Sequence, residues 1–389
     1  MCLAAYTPAL SLPLFEDDYP LISFADQTGP AGVLLNPVFR VRATMNWEIQ
    51  LLRWAFPLIP FVYHAASLLV HFANTWLLYL ILLEWPRARP AAFWAAAFFA
   101  VAEGHQEAVM WFSAMSELLQ FLFGAAALLY WMRGRAMPAA AWFALALLSK
   151  ESAVIWLPLF ALTAPDDDWR RTLRRAVPLL VLAAAAVATI GMTQRYNFRF
   201  SDGSFSLYAP FVTTWFRNIG RALWIWGWFA VAFAAWRFRD SLRSLLRPLL
   251  WIGIGLLPYC FLTYSRQIPS RQTYLASAGA ALVFGLVFER IHKQKLAAIV
   301  AAVVLLHNIG ILWFKKRAQF ARRAEPTQQL LRMARKTEGP IWVRCFPQPG
   351  LIATEAVRLM AGKPASFLVW NETEAAERKF AVEYCFREP

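Results

Sequence analysis

The sequence predicts an all-α membrane protein that crosses the bilayer many times and carries a small α/β domain at its C-terminal end. Of the 389 residues, 59% are hydrophobic and 16% are charged, whereas a soluble domain has about 45–50% apolar and about 25% charged residues. The apolar residues are concentrated in long runs, such as 121–131, 177–190 and 296–314. Because one membrane-crossing helix needs about 20 apolar residues, the repetition of such runs indicates a multi-pass protein.

The basic residues indicate a membrane topology. A net charge of +15 would also suit a nucleic-acid-binding protein, but these residues fall in short clusters between the apolar runs. The positive-inside rule places such clusters in cytoplasmic loops, so we expect membrane lipids and no nucleic acid as partners. The clusters are Arg87/Arg89, Arg133/Arg135, Arg170–Arg175, Arg237–Arg247 and Arg290–Lys295.

If all these clusters are cytoplasmic, the chain between two successive clusters crosses the membrane outward and then back, which gives about 10–11 transmembrane helices. Some arms, such as 138–148 and 152–164, would rise only ~16–20 Å and cannot cross a core of ~30 Å. Short arms that end in polar tips favour a cavity open to the outer face, since irregular backbone at membrane depth is tolerated where it lines a cavity. Segment 1–14 is too short to span, and we interpret it as a truncated first helix.

The composition changes near residue 314. We expect a transmembrane domain over 1–314, a linker over 315–339 and a small α/β domain over 340–389. The parity of the crossings places this last domain outside the cell, where Cys345 and Cys385 could form a disulfide. Its predicted elements are the strand Ile341–Phe346, the helix Thr354–Ala361 and the strands Phe367–Trp370 and Phe380–Phe386.

Polar residues occupy the tips of the segments that are expected to face outward. Ionisable groups near membrane depth are costly and tend to mark functional sites. Carboxylates, a histidine and several cations on one face suit a reaction with a base and an anionic leaving group. These tips carry Glu16, Asp17 and Asp18, then His105 and Glu107, Lys150 and Glu151, Arg195, Arg199 and Asp202, and finally Arg266, Arg271 and Tyr274.

Four stretches of the chain resemble GT-C glycosyltransferases, in the order found in that superfamily. FEDDY resembles the aspartate-bearing first loop, and GHQEAVMWFSAMSELL, LLSKESAVIWLPLF and SRQTYLASAG resemble three segments of the O-mannosyltransferase-like branch. The chain departs from the branch at Ala102-Glu103, where His-Pro is usual, and at Met115-Ser116, where an arginine is common. It also lacks the tetratricopeptide tail, since no 34-residue period is found. The resemblance therefore implies a reaction class and leaves the acceptor open.

That class is inverting transfer of a sugar, of the hexosyl or mannosyl type, from a polyprenyl-phosphate donor to an acceptor hydroxyl. The resemblance implies that Asp17 or Asp18 is the general base, acting at the outer face of a bacterial inner membrane. No general acid is needed, because the lipid phosphate already leaves as an anion; cations must bind it. No metal is predicted, although a divalent cation at His105 and Glu107 stays open. The phosphate-binding candidates are Lys150, Arg271 and Arg266, and the substrate-positioning candidates are His105, Glu107, Glu151 and Tyr274.

Several other interpretations stay open from the sequence. A transporter or flippase of lipid-linked saccharides would also bury charges in a polytopic core, and a polysaccharide polymerase or ligase would use the same donors. Lys150 and Glu151 could form a neutralising ion pair, His105 could cap a helix end, and Arg271 could be an ordinary juxtamembrane cation. The acceptor could be a protein, a lipid or a glycan.

Overall fold

The computed structural model describes residues 1–37, 40–86, 88–164, 168–193, 205–237, 243–263, 269–291, 293–378, 380 and 382–387. Most of them are helical. The helices are α1 (Cys2–Tyr6), α2 (Asp18–Gln27), α3 (Pro30–Leu35), α4 (Ala43–Ala55), α5 (Pro60–Glu84), α6 (Ala92–Val101), α7 (Gln106–Met110), α8 (Met115–Met132), α9 (Ala136–Leu147), α10 (Trp156–Leu162), α11 (Trp169–Thr193), α12 (Phe211–Arg237), α13 (Arg243–Leu256), α14 (Tyr274–Glu289), α15 (Gln294–Gly310), α16 (Arg317–Lys336), α17 (Gly350–Ala361) and α18 (Glu372–Arg378). The strands are β1 (Ile341–Cys345), β2 (Leu368–Val369) and β3 (Val382–Cys385).

The predicted multi-pass class is confirmed. Within the described residues, 7 helical segments are long and apolar enough to cross a membrane. Three shorter apolar segments, Arg89–Val101, Ala136–Leu147 and Glu151–Leu162, accompany them, in agreement with the short arms expected from the sequence. Two of these short segments are separated at Ser149 and Lys150, so the chain turns at the polar tip that the sequence indicated.

Helix α14 is the central element of the bundle. Every residue from Tyr274 to Phe288 is buried, and the helix packs against α6, α12 and α13. Two glycines allow this close packing. A Cβ atom on Gly279 would lie 2.6 Å from the Pro248 carbonyl oxygen, and one on Gly285 would lie 2.7 Å from that of Ala91. Small residues let membrane helices approach closely, so α14 is fixed in place and its N-terminal end, at Arg271 to Tyr274, is well positioned.

The C-terminal segment forms a three-stranded parallel sheet in the order β2-β1-β3. Cys345 and Cys385 form a disulfide with their Cα atoms 4.6 Å apart, as the sequence suggested. Helix α18 was not predicted. The segment 315–339, expected to be a linker, is mostly the helix α16, which packs against α17, while α17 packs against α2. We call β1–β3 with α17 and α18 the C-terminal unit.

Candidate active site

A turn over Phe15–Asp18 leads into α2 and carries the predicted acidic pair. Asp18 is fully buried, and its Oδ2 accepts a hydrogen bond from the Phe15 N–H at 3.0 Å. Its Oδ1 accepts bonds from the Ser113 N–H and hydroxyl at 2.8 and 2.5 Å. Burial raises the pKa of the Asp18 carboxyl to about 7, and these donors oppose that rise. Asp18 therefore fastens the turn to the chain that follows α7.

Asp17 is the accessible carboxylate of the turn. Its side chain is exposed, and it accepts no hydrogen bond from any residue that the structure describes. Partial desolvation by the surrounding protein raises the pKa of Asp17, with a further contribution from Glu16. Arg271, Arg323 and Arg42 oppose this rise. We call Asp17 and these three arginines the arginine cluster.

The ring of Trp111 organises two of these arginines. The Cζ atom of Arg271 lies 4.9 Å from the centroid of the ring, and that of Arg323 lies 4.7 Å from it. The Phe15 ring stacks on the same indole with the centroids 6.0 Å apart. Cations are attracted to aromatic faces at such distances. Since Ser113 follows two residues later, one short segment positions the acidic turn and both guanidinium groups.

Glu107 orients Arg271. It pairs with Nη1 of the guanidinium, and its Oε2 accepts bonds from the Arg271 N–H at 3.2 Å and from the Ser270 hydroxyl at 3.1 Å. The Nε and Nη2 groups of Arg271 make no hydrogen bond to any residue that the structure describes. A guanidinium carries five N–H donors, so Arg271 is fixed in direction and still has donors to offer to an anion.

Glu16 forms a two-pronged ion pair with Arg323 of α16. The Arg323 Nε and Nη2 atoms lie 2.9 and 2.5 Å from the two carboxylate oxygens of Glu16. The backbone of Glu16 has φ 49°, a left-handed conformation that costs a non-glycine residue of order 1–3 kcal/mol. Strained residues of this kind cluster at functional sites.

Lys150 is buried beside Glu117, and the two side chains form an ion pair in which each is 4% exposed. The Tyr259 hydroxyl donates to Glu117 Oε2 at 3.0 Å, and the Lys150 ammonium lies 5.3 Å from the centre of the Tyr259 ring. Buried charges need such partners, since removing one leaves the other uncompensated.

Arg42 connects the turn with the neighbourhood of Lys150. Its Nη2 lies 3.3 Å from Oε1 of Glu151, and the nearby Thr44 hydroxyl donates to Ser149 Oγ at 2.8 Å. The pKa of Arg42 is raised chiefly by Glu151. Asp17 makes a smaller contribution in the same direction. The acidic turn and the Lys150 segment therefore share one electrostatic neighbourhood.

An apolar cavity of about 470 Å³ opens beside Lys150 and Glu151. Its walls come from the loop at the start of α10, the end of α11 and the chain after α13. Apolar walls with a charged end suit a ligand that has a long hydrocarbon chain and a polar head. The apolar lining includes Val154, Val187, Ile190, Pro258, Phe261 and Leu262.

A second polar group lies inside the helix bundle, and we call it the histidine cluster. The Tyr274 hydroxyl lies 2.7 Å from His71 Nδ1 and accepts a bond from Asn74 Nδ2 at 3.2 Å. His105 Nε2 lies 2.5 Å from the Ser277 hydroxyl. All five side chains are buried. His105 also packs edge-on against the Phe99 ring, with centroids 4.4 Å apart.

The structure divides the sequence-predicted residues into three sets. Asp17, Asp18, Glu107 and Arg271 meet around the segment 111–113. Arg42, which pairs with Glu151, links the segment of Lys150 and Glu151 to this group. His105 and Tyr274 are packed in the bundle interior, and the expectation that they position a substrate stays a prediction. Arg195, Arg199, Asp202 and Arg266 lie outside the described residues.

Several residues of the site escaped the sequence analysis. Trp111, Ser113 and Glu117 stand in the stretch GHQEAVMWFSAMSELL, so the resemblance carried a signal for them that was not used. Arg42 follows no recognisable pattern, and Arg323 falls in the segment expected to be a linker. These two arginines are recognised only from their contacts in the folded chain.

The metal question was left open at His105 and Glu107. In the part of the chain that the structure describes, no group of three or more His, Cys, Asp or Glu side chains is placed to hold a metal ion. The two residues have different partners: His105 lies against Ser277, and Glu107 pairs with Arg271. This pair therefore does not converge as ligands.

Comparison with known proteins gives a likeness of fold. No protein family and no curated protein matches the sequence. Among solved structures, the chain is similar to ArnT from Cupriavidus metallidurans bound to undecaprenyl phosphate, with a TM-score of 0.56 and 12% sequence identity. The alignment covers 98% of this chain and 87% of that one. The chain thus has an ArnT-like, mostly helical fold with several candidate membrane spans and a small C-terminal sheet, in agreement with the predicted fold class.

Proposed function

We propose that this protein is an inverting glycosyltransferase that moves a sugar from a polyprenyl-phosphate carrier to an acceptor hydroxyl at the outer face of a bacterial inner membrane. The observation that carries the proposal is Asp17, an exposed carboxylate that accepts no hydrogen bond from the described residues and is set among three arginines. The likeness to ArnT, solved with undecaprenyl phosphate bound, and the resemblance to O-mannosyltransferases add support. Mannose is the first sugar to test.

Asp17 is the general base in this proposal. Asp18 is enclosed by the donors of Phe15 and Ser113 and therefore holds the turn. The Asp17 carboxylate takes the proton from the acceptor hydroxyl, whose oxygen attacks the anomeric carbon opposite the phosphate. The bond from that carbon to the phosphate oxygen breaks, and the lipid phosphate leaves with the electron pair.

The donor is held by its charge and by its chain. Arg271 offers unused N–H donors to the phosphate, and a fixed cation at a developing anion lowers the barrier without reorganisation. The cavity beside Lys150 accepts the apolar chain, with the ammonium at its polar end. Glu107 pairs with Arg271 and Glu151 pairs with Arg42, so these two carboxylates position the two arginines.

The test is Asp17→Asn in purified full-length protein, supplied with a polyprenyl-phosphate sugar that carries a radiolabel, beginning with mannose, and with membrane acceptors. Transfer should fall by at least about 100-fold, because a positioned base contributes roughly 10²–10⁴. Asp26→Asn is the matched control: Asp26 lies on α2, the helix that follows Asp17, and pairs with Arg53, so this variant should keep full transfer. Full activity in Asp17→Asn/Asp18→Asn would remove the mechanism.

The flippase alternative predicts a different outcome in the same preparation. If the protein moves lipid-linked sugars from one leaflet of a vesicle membrane to the other, and if Asp17→Asn leaves that movement intact, the proposal is wrong.

A further inference from the structure

Helix α16 reaches the acidic turn from outside the transmembrane bundle. Besides the pairing of Arg323 with Glu16, the Gln328 side-chain amide donates to the Tyr19 hydroxyl at 3.2 Å and to the Leu14 carbonyl at 3.4 Å. These contacts lie on both sides of Asp17 in the sequence. The turn is therefore held along its length by one face of α16.

Arg323 is itself fixed by aromatic rings. Its Cζ atom lies 5.3 Å from the centres of the Phe15 and Phe320 rings, in addition to its contact with Trp111. The Glu16 backbone is left-handed, and Arg323 donates hydrogen bonds to both carboxylate oxygens of this residue. A strained residue persists only where the surroundings enforce it, and Arg323 supplies that enforcement.

The C-terminal unit supports α16 and α2 from behind. The Tyr384 hydroxyl donates to the Pro326 carbonyl at 2.7 Å, and the Gln348 amide donates to the Arg323 carbonyl at 3.2 Å. Arg358 of α17 donates to the Ser23 hydroxyl on α2. The C-terminal unit therefore contacts both the helix that carries Arg323 and the helix that begins at Asp18.

We propose that Arg323 is a positioning residue that holds the strained Glu16 turn so that Asp17 faces Arg271, and that the C-terminal unit serves as the support for this contact. The inference rests on the proposed function, in which Asp17 is the base. Arg323 acts on Asp17 through Glu16 and Trp111 and makes no bond to it.

The first experiment measures transfer from a polyprenyl-phosphate sugar. Arg323→Gln should lower kcat by about tenfold or more, with little change in KM for the donor. Arg323→Lys should recover part of the loss, because it keeps the charge without the two-pronged geometry. The adjacent Arg322 is exposed, and no contact of its side chain is described, so Arg322→Gln is the matched control and should match the wild type. Equal kcat in Arg323→Gln and Arg322→Gln would overturn the inference.

A pH profile separates positioning from general support. Arg323 lowers the pKa of Asp17, so in Arg323→Gln the fall in rate on acidification should begin at a higher pH. A loss of active protein alone would lower the whole profile without moving it, and that result would also overturn the inference.

A second readout does not depend on activity. Hydrogen–deuterium exchange in the intact protein should rise in the peptide that contains residues 15–19 in Arg323→Gln, and stay unchanged in Arg322→Gln. Glu16→Gln should raise exchange at the same peptide. If the wild type transfers no sugar but exchange at residues 15–19 rises in Arg323→Gln, the proposed reaction is wrong and the positioning contact is supported. If exchange at residues 15–19 is unchanged in Arg323→Gln, the positioning contact is wrong.

Discussion

The arginine cluster and the histidine cluster are both built from polar side chains, but they differ in burial and in hydrogen bonding. In the histidine cluster, His71 and Asn74 both bond to the Tyr274 hydroxyl in a fully buried space. In the arginine cluster, Asp17 is exposed and Arg271 keeps donors that bond to nothing described. The two clusters therefore differ in the hydrogen-bonding capacity that stays open next to solvent. Buried polar groups should therefore affect stability, and the open cluster should affect catalysis.

The largest expected effect on stability comes from the buried pair of Lys150 and Glu117. Lys150→Met should lower the free energy of unfolding by about 3–5 kcal/mol, because Glu117 loses its partner in a buried space. Thermal unfolding in detergent should show the loss, and Lys150→Met/Glu117→Met should recover most of it. The exposed Lys295 provides the control, since Lys295→Met should leave the midpoint unchanged. A double variant as unstable as the single one would contradict this account of the pair.

A smaller effect, on catalysis alone, is expected from Arg271→Gln. Loss of charge-assisted hydrogen bonds to a phosphate should lower kcat/KM for the donor by about 10–100-fold. Because Arg271 also lowers the pKa of Asp17, the rate should begin to fall at a higher pH on acidification. Steady-state kinetics across pH would test both points, with the unfolding midpoint as control. If the fall in rate on acidification begins at the same pH as in the wild type, Arg271 does not influence the protonation of Asp17.

The smallest effect should come from the histidine cluster. Tyr274→Phe removes one hydroxyl and leaves His71 and Asn74 without it, which should cost about 1–2 kcal/mol of stability. The kcat and KM of the protein that remains folded should not change. Tyr130→Phe is the control, because no hydrogen bond to the Tyr130 hydroxyl is described. A large loss of kcat at an unchanged unfolding midpoint would place Tyr274 in the reaction and break the comparison.

The sequence carried the membrane class, the short arms and the C-terminal strands, because these depend on local composition and periodicity. It also led to Asp17, Glu107, Lys150 and Arg271, since ionisable residues at the tips of apolar segments are unusual. It could not show that His105 lies in a different cluster, because a polar residue at a helix end looks the same whether it faces a cavity or a neighbouring helix.

Contacts between residues that are far apart in the chain could not be predicted from the sequence either. Arg323 and Glu16 are separated by 307 positions, and no local pattern around 323 indicates that this arginine returns to the start of the chain. Lys150 lies 33 positions from Glu117, so the pairing of the buried charges likewise depended on how the helices pack.

The helical run from α15 to α16 has a consequence for the position of Arg323. It continues through a π-helical turn, Ile311–Lys316, without a break, and the segment Lys295–Lys336 has 42 residues. That corresponds to about 63 Å, roughly twice the ~30 Å hydrocarbon core. The apolar run ends near residue 314, so α16 continues the helix beyond that run and carries Arg323 with it. A tilt of α15 would therefore move Arg323 relative to the acidic turn.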